Sequence, residues 1–139
     1  MEKEFVFCEV SEERSGRKKV LIVDDDLEML KIFRFYLQDT YDVSIVNSGK
    51  TAMSLMRQEY VPDIVLLDYM MPEYTGAEMF KDMKADQNTK KIAVIFLTGV
   101  TDDDTIKECL SYEPAGYIVK PVAKPALHAK LDSFFQQHL

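Results

Sequence analysis

Five short apolar runs, rich in valine and isoleucine, divide the chain into regular segments. The runs are continuous rather than alternating, which is typical of strands buried on both faces of a parallel sheet. They cover residues 20–23, 43–46, 64–67, 92–97 and 117–119. Each run therefore predicts one strand of a parallel sheet.

Helical periodicity follows every one of these runs. In the first helical segment Met29, Phe33 and Leu37 recur with the four-residue spacing of one helix face. Strand and helix alternate five times, which predicts an α/β domain. We expect a doubly wound, flavodoxin-like sheet of five parallel strands in the order 2-1-3-4-5, with five helices.

Helix start signals support these assignments. Asp26 is a candidate N-cap, and Thr75 with Glu78 has the spacing of a capping box. Thr101 with Asp104 is a near version of the same box. These residues predict where three of the helices begin.

The first part of the chain does not fit the alternation. Residues 4–10 suit either an extra strand or an unstructured leader, and residues 11–17 form a polar stretch. We therefore divide the chain into a leader or linker at 1–17 and a single domain at 18–139.

Composition and charge narrow the class of protein. The chain has 139 residues, of which 47% are hydrophobic and 29% charged, as expected for one globular domain. Lys and Arg total 17 against 24 Asp and Glu, a net charge of −7, which disfavours direct binding to nucleic acid. No apolar run approaches the roughly 18 residues of a membrane span. We expect a cytoplasmic protein without membrane contact.

Polar side chains collect at the predicted strand ends. Asp24 and Asp25 follow the first strand, Asp68 the third, Thr98 ends the fourth, and Lys120 follows the fifth. In open α/β sheets ligands bind beyond the carboxyl ends of the strands, near the point where the strand order reverses. The first and third strands are neighbours in the expected order, so their aspartates should converge.

Clustered carboxylates repel one another unless a cation joins them. A hard divalent ion such as Mg²⁺, or Mn²⁺ in its place, is the natural partner of oxygen ligands. Lys120 adds a positive charge and Thr98 a hydroxyl donor. Such a set suits phosphoryl transfer, in which an aspartate can act as the nucleophile and form an acyl phosphate.

Together these motifs closely resemble the receiver domain of bacterial response regulators. The resemblance rests on Asp24-Asp25, Asp68 with the following Met71-Pro72, Thr98, and the segment Tyr-Ile-Val-Lys-Pro at residues 117–121. It covers about residues 18–137. The motifs stand in the order and at the spacings of that family.

The resemblance implies a role for each site residue. Asp68 would be the phosphoacceptor, and Lys120 and Thr98 would contact the phosphoryl oxygens. Asp25 would bind Mg²⁺ directly, and Asp24 beside it would bind the ion through water. Asp68 and the backbone carbonyl of Met70 would complete the protein's ligands. No cofactor besides the metal ion is implied.

The resemblance also implies a switch. Tyr117 matches the aromatic residue that turns inward when Thr98 moves towards the phosphoryl group. The surface that changes would span the fourth helix, fifth strand and fifth helix, about residues 102–138. Met70 and Val100 occupy positions thought to tune phosphoryl lifetime, and because both are apolar we expect slow self-dephosphorylation.

Two departures from the family pattern affect loops rather than chemistry. Thr75 replaces the aspartate usual before the glycine. Residues 113–116, Glu-Pro-Ala-Gly, replace the commoner Gly-Ala pair before the tyrosine.

The expected partner is a histidine kinase or a histidine phosphotransfer protein. No DNA-binding, cyclase or phosphodiesterase segment follows the last predicted helix; if the chain is complete, we expect it to act through partner proteins. A stand-alone regulator and a piece of a multidomain protein both remain open, as does pairing of two copies. We do not expect an enzyme beyond self-phosphorylation and self-dephosphorylation.

Two alternative functions account for part of the pattern. A phosphatase of the haloacid dehalogenase type would use Asp24 and Asp26 after the first strand, but the chain lacks the later acidic pair and this leaves Asp68 unexplained. A receiver-like docking module that does not cycle phosphate is the other alternative. Mg²⁺ binding and its dependence on Asp68 would distinguish the latter from a working receiver.

Overall fold

A computed structural model describes residues 6–99 and 102–138 of the chain. This part contains six strands and five helices, which alternate after the first strand. The strands are β1 (Cys8–Glu9), β2 (Lys19–Val23), β3 (Asp42–Val46), β4 (Ile64–Asp68), β5 (Ala93–Thr98) and β6 (Gly116–Val119). The helices are α1 (Leu27–Leu37), α2 (Gly49–Arg57), α3 (Gly76–Ala85), α4 (Asp103–Ser111) and α5 (Lys124–Gln137).

The strands form a single sheet in the order β1-β3-β2-β4-β5-β6. Strands β2 to β6 are parallel, and their order is the predicted 2-1-3-4-5. The predicted flavodoxin-like α/β fold is therefore confirmed. Parallel pairing places the carboxyl ends of β2, β4, β5 and β6 at one edge of the sheet.

The sheet has one strand more than the sequence pattern indicated. β1 pairs with β3 in the antiparallel direction, with Cys8 opposite Val46 and Glu9 opposite Ile45. Part of the segment at 4–10, which suited either a strand or a leader, is thus a strand, while residues 4 and 5 lie outside the described residues. The division at 17 and 18 stays a prediction.

Side-chain caps begin the helices where the sequence indicated, with one exception. Asp26 accepts hydrogen bonds from the backbone N–H of Glu28 at 3.0 Å and of Met29 at 3.3 Å. Thr75 and Glu78 form the complete capping box of α3. At α4, however, the cap is Asp102, which accepts from the Thr105 N–H at 2.8 Å. The candidate cap Thr101 lies outside the described residues.

Apolar side chains cover both faces of the sheet, as continuous apolar strands require. On one face the core is formed with α2 and α3, and includes Met56, Phe80 and Phe96. On the other face α1 and α5 contribute Phe33 and Leu131. Each such side chain stabilises the fold by roughly 1.5–3 kcal/mol when fully buried. Among residues 6–99 and 102–138, no helix is long and apolar enough to cross a membrane.

Candidate functional site

Three aspartates meet at the carboxyl edge of the sheet. Asp24 follows β2 and Asp68 ends β4, two neighbouring strands, and Asp25 lies in the turn that leads to α1. One carboxylate oxygen from each lies within 4.8 Å of the others. Asp24 and Asp68 are buried, whereas Asp25 is exposed. The convergence predicted for the first and third parallel strands is thus present.

Lys120 closes the inner side of this cluster. Its Nζ donates to Asp24 Oδ2 at 2.9 Å and to Asp68 Oδ1 at 3.4 Å. The lysine follows β6, and its backbone N–H donates to the carbonyl of Thr98 at the end of β5, at 2.7 Å. Thr98 is fully buried. The ends of β5 and β6 therefore meet beside the aspartates.

Burial and mutual repulsion perturb the acids. Desolvation, followed by the charge of Asp24, raises the pKa of Asp68 to about 7, against the attraction of Lys120. Desolvation also raises the pKa of Asp24, although hydrogen bonds from the Asp26 backbone and Lys120 oppose this. Burial disfavours the charge of Lys120, but its bonds to Asp24 outweigh that effect and its pKa rises.

Close backbone packing positions the Asp68 loop. A Cβ added at Gly76 would lie 2.3 Å from the Asp68 carbonyl oxygen and 2.8 Å from Tyr69 Cα. Only glycine permits this approach, which also lets the Gly76 N–H donate to the Tyr69 carbonyl at 3.1 Å. The Met70 N–H donates to Asp68 Oδ1 at 3.3 Å. The first turn of α3 thus supports the backbone on which the carboxylate stands.

The donor set fits a hard divalent cation. Asp24, Asp25 and Asp68 form an acidic pocket. Carboxylate oxygens are the ligands that Mg²⁺ prefers. Two buried carboxylates with raised pKa values carry repulsion that one lysine does not cancel, and a divalent ion would relieve it.

Other predicted residues lie around this centre. Tyr117 lies in β6, half-buried, with the Lys130 Nζ 6.0 Å from its ring centroid. The side chain of Met70 is 58% exposed next to Asp68, and Val100 lies outside the described residues. Asp26, the second acid of the phosphatase alternative, caps α1 instead. The acid that this alternative requires is therefore engaged at the start of a helix.

Sequence reasoning missed two supports of the site. Gly76 carries no chemistry of its own, and nothing in its local sequence signals the close backbone approach that it permits. Asn47, at the end of β3, lines the same cleft as Asp25, and no local pattern pointed to it.

Comparisons with known proteins agree with this geometry. The profile of the response regulator receiver domain matches residues 20–132. Chemotaxis protein CheY-3 of Vibrio cholerae is 31% identical over 121 residues, covering 86% of this chain and 92% of that protein. The two-component response regulator ORR5 of Oryza sativa is 32% identical over 111 residues, covering 79% and 83%.

One longer relative and two solved structures are also similar to this chain. A probable cyclic di-GMP phosphodiesterase of Vibrio cholerae is 33% identical over 117 residues, and the match spans 84% of this chain but 26% of that protein. The structure of Vibrio cholerae CheY4 superposes with a TM-score of 0.78 at 28% identity, covering 86% of this chain and 99% of that one. The BeF3-activated DrrB receiver domain gives 0.75 at 28% identity, covering 86% and 98%.

Proposed function

Because the chain belongs to the response regulator receiver family, a family of signalling domains, we propose that Asp68 accepts a phosphoryl group from a phosphohistidine donor. One observation carries the proposal: the buried Asp68 carboxylate lies at a strand end beside a lysine ammonium and two further carboxylates. The donor is a histidine kinase or a histidine phosphotransfer protein. The relatives named two-component response regulators support this class of donor.

The transfer is a displacement at phosphorus. A carboxylate oxygen of Asp68 attacks the phosphorus, and the bond from phosphorus to the donor imidazole nitrogen breaks. The nitrogen keeps the electron pair, and an acyl phosphate forms on Asp68. Lys120 holds its ammonium 3.4 Å from one Asp68 oxygen, where it would pair with the charge of the incoming phosphoryl oxygens. Thr98 would donate its hydroxyl to another of those oxygens.

Asp24, Asp25, Asp68 and the Met70 carbonyl would hold Mg²⁺, or Mn²⁺ in its place. When bound, the ion supplies positive charge that offsets both the carboxylates and the phosphoryl oxygens. The chain's own residues then position the nucleophile. Asp25 is the exposed member of the set, so we assign it the ligand at the mouth of the site.

Signalling would follow from a conformational change at β5 and β6. We propose that Thr98 and Tyr117 move together on phosphorylation and alter the surface of α4, β6 and α5. Tyr117 is half-buried and packs partly against the core beneath α2 and α3, so its ring has both an inner and an outer environment. The domain itself would catalyse nothing beyond its own phosphorylation and dephosphorylation, and we expect it in the cytoplasm.

Intact-mass spectrometry tests the proposal. The chain is incubated with acetyl phosphate, with Mg²⁺ or with chelator, beside the variants Asp68→Asn and Asp26→Asn. We expect one added phosphoryl group in the parent chain with Mg²⁺. The adduct should be absent from Asp68→Asn and retained in Asp26→Asn, because asparagine still caps α1.

Two results would overturn the assignment. An adduct that persists in Asp68→Asn would place the phosphoryl group elsewhere. Complete absence of an adduct in the parent chain, with Mg²⁺ binding also absent, would favour the docking-module alternative.

A further inference from the structure

The segment before the matched family region is built into the sheet. Residues 7–14, called the strap below, run along the outer edge of β3, whereas the family profile begins at residue 20. Glu9 in the strap pairs with Arg34 of α1. The strap therefore contacts both the edge strand and a helix of the domain.

Polar side chains of β3 accept hydrogen bonds from the backbone of the strap. The Ser11 N–H donates to Ser44 Oγ at 3.0 Å, and the Arg14 N–H donates to Asp42 Oδ2 at 2.6 Å. Ser44 and Asp42 are buried in an otherwise apolar strand. Buried polar groups require partners, and the strap supplies one to each of these side chains; Ser44 Oγ also accepts from the Tyr60 hydroxyl at 2.9 Å.

A further contact of the strap, between Phe7 and Asn47, lies near the aspartate cluster. The Phe7 N–H donates to Asn47 Oδ1 at 2.6 Å, and the Asn47 N–H donates back to the Phe7 carbonyl at 3.0 Å. Asn47 directly follows Val46, whose carbonyl accepts from the Asp24 N–H at 3.2 Å. Asn47 also lines the same cleft as Asp25. Two hydrogen-bonded links thus lead from the strap to the acidic site.

We propose that the strap positions the metal site through the reciprocal pair of Phe7 and Asn47. The pair fixes the end of β3 and the loop into α2, and this loop forms one wall of the cleft at Asp25. Phe7 and Asn47 are positioning residues, since neither would touch the transferred group. The inference rests on the proposed Mg²⁺ site, and it assigns to the N-terminal segment a role outside the family match.

A matched pair of variants in the full chain tests this. Phe7→Ala and Phe7→Pro both lose the ring, but only proline also removes the N–H that bonds Asn47. Mg²⁺ binding is measured by calorimetry, and hydrogen exchange is followed at the backbone N–H of Asn47. We expect Phe7→Pro to bind Mg²⁺ about three- to tenfold more weakly than Phe7→Ala, the effect of about one hydrogen bond. The Asn47 amide should exchange faster in the proline variant.

Three other outcomes would each contradict a different part of the argument. Equal Mg²⁺ affinities, together with faster Asn47 exchange in Phe7→Pro, would overturn the coupling between strap and metal site. Equal affinities and equal exchange would show that the pair does not hold the loop. Absence of Mg²⁺ binding in the parent chain would instead refute the proposed function, and the exchange comparison would still decide whether the strap holds the loop.

Discussion

Replacement of Asp68 by asparagine should make the metal-free domain more stable. The Asp68 carboxylate is almost completely buried, with 5% of its side chain exposed, and its pKa is raised to about 7 by desolvation and by the charge of Asp24. Ionising it in the folded protein is therefore unfavourable compared with the unfolded chain. Asparagine keeps the shape of the side chain and removes that charge.

The magnitude follows from the shift. An unfolded aspartate has a pKa of about 3.9, and each unit of difference corresponds to about 1.36 kcal/mol, so the upper figure is about 4 kcal/mol. Local relaxation and water entry reduce this, and we expect about 2–4 kcal/mol above neutral pH. For a domain of this size that corresponds to roughly 7–14 °C in Tm.

The pH dependence has a definite sign. Because the folded pKa is raised, the folded protein binds more protons than the unfolded chain between about pH 4 and pH 7. The parent chain keeps its full stability below about pH 4 and loses this contribution as the pH rises through about 7. Asparagine does not titrate, so the gap between the two proteins should open over that interval.

The difference in free energy of unfolding between the two proteins is measured by urea unfolding in chelator at several pH values, followed by circular dichroism. Addition of Mg²⁺ should narrow it, because ligand binding stabilises only the protein that binds the ion. A parent chain equal to or more stable than Asp68→Asn at about pH 8 would refute the reasoning. A gap of constant size at every pH would show that charge is not its cause.

Four further results are expected. Gly76→Ala should destabilise the domain by about 1–3 kcal/mol in urea unfolding, because the added Cβ would overlap the Asp68 backbone. Gly99→Ala is the control and should have little effect, because no atom lies within 4 Å of its added Cβ. Apparent Mg²⁺ affinity should rise with pH up to about 7 in calorimetry, with proton release, as Asp68 loses its proton. Lys120→Met should bind Mg²⁺ at least as tightly yet label with acetyl phosphate about a hundredfold more slowly. The phosphorylated chain, with apolar Met70 beside Asp68, should keep its phosphoryl group for minutes or longer, and loss within seconds in Mg²⁺ would contradict this.

The sequence predicted the parallel strands well because four of the five, β2 to β5, are almost entirely buried. Such strands must be continuous apolar runs, and no other local structure of that length suits them equally. The positions of Asp24, Asp68 and Lys120 followed from the same rule, since parallel strand ends share one edge. Periodicity and topology together therefore placed the centre of the site.

Features that depend on tertiary contacts could not be predicted from the sequence. The strand at Cys8 and Glu9 has two residues and no periodicity of its own, and it exists because β3 offers an unpaired edge. Asp102 caps α4, whereas the local spacing had pointed to Thr101, which lies outside the described residues. The position of Asn47 beside the cleft likewise depends on the fold rather than on nearby residues.

The antiparallel strand β1 has a practical consequence for sensor design. It leads the N-terminal end of the described chain along the β3 side, while β6 lies at the opposite border of the six-stranded sheet. With strands about 4.8 Å apart, the two borders are separated by roughly 24 Å. A fluorescent reporter fused before the strap would therefore leave α4 and β6 unobstructed, whereas one fused directly after α5 would crowd the surface of α4, β6 and α5 that we propose to rearrange.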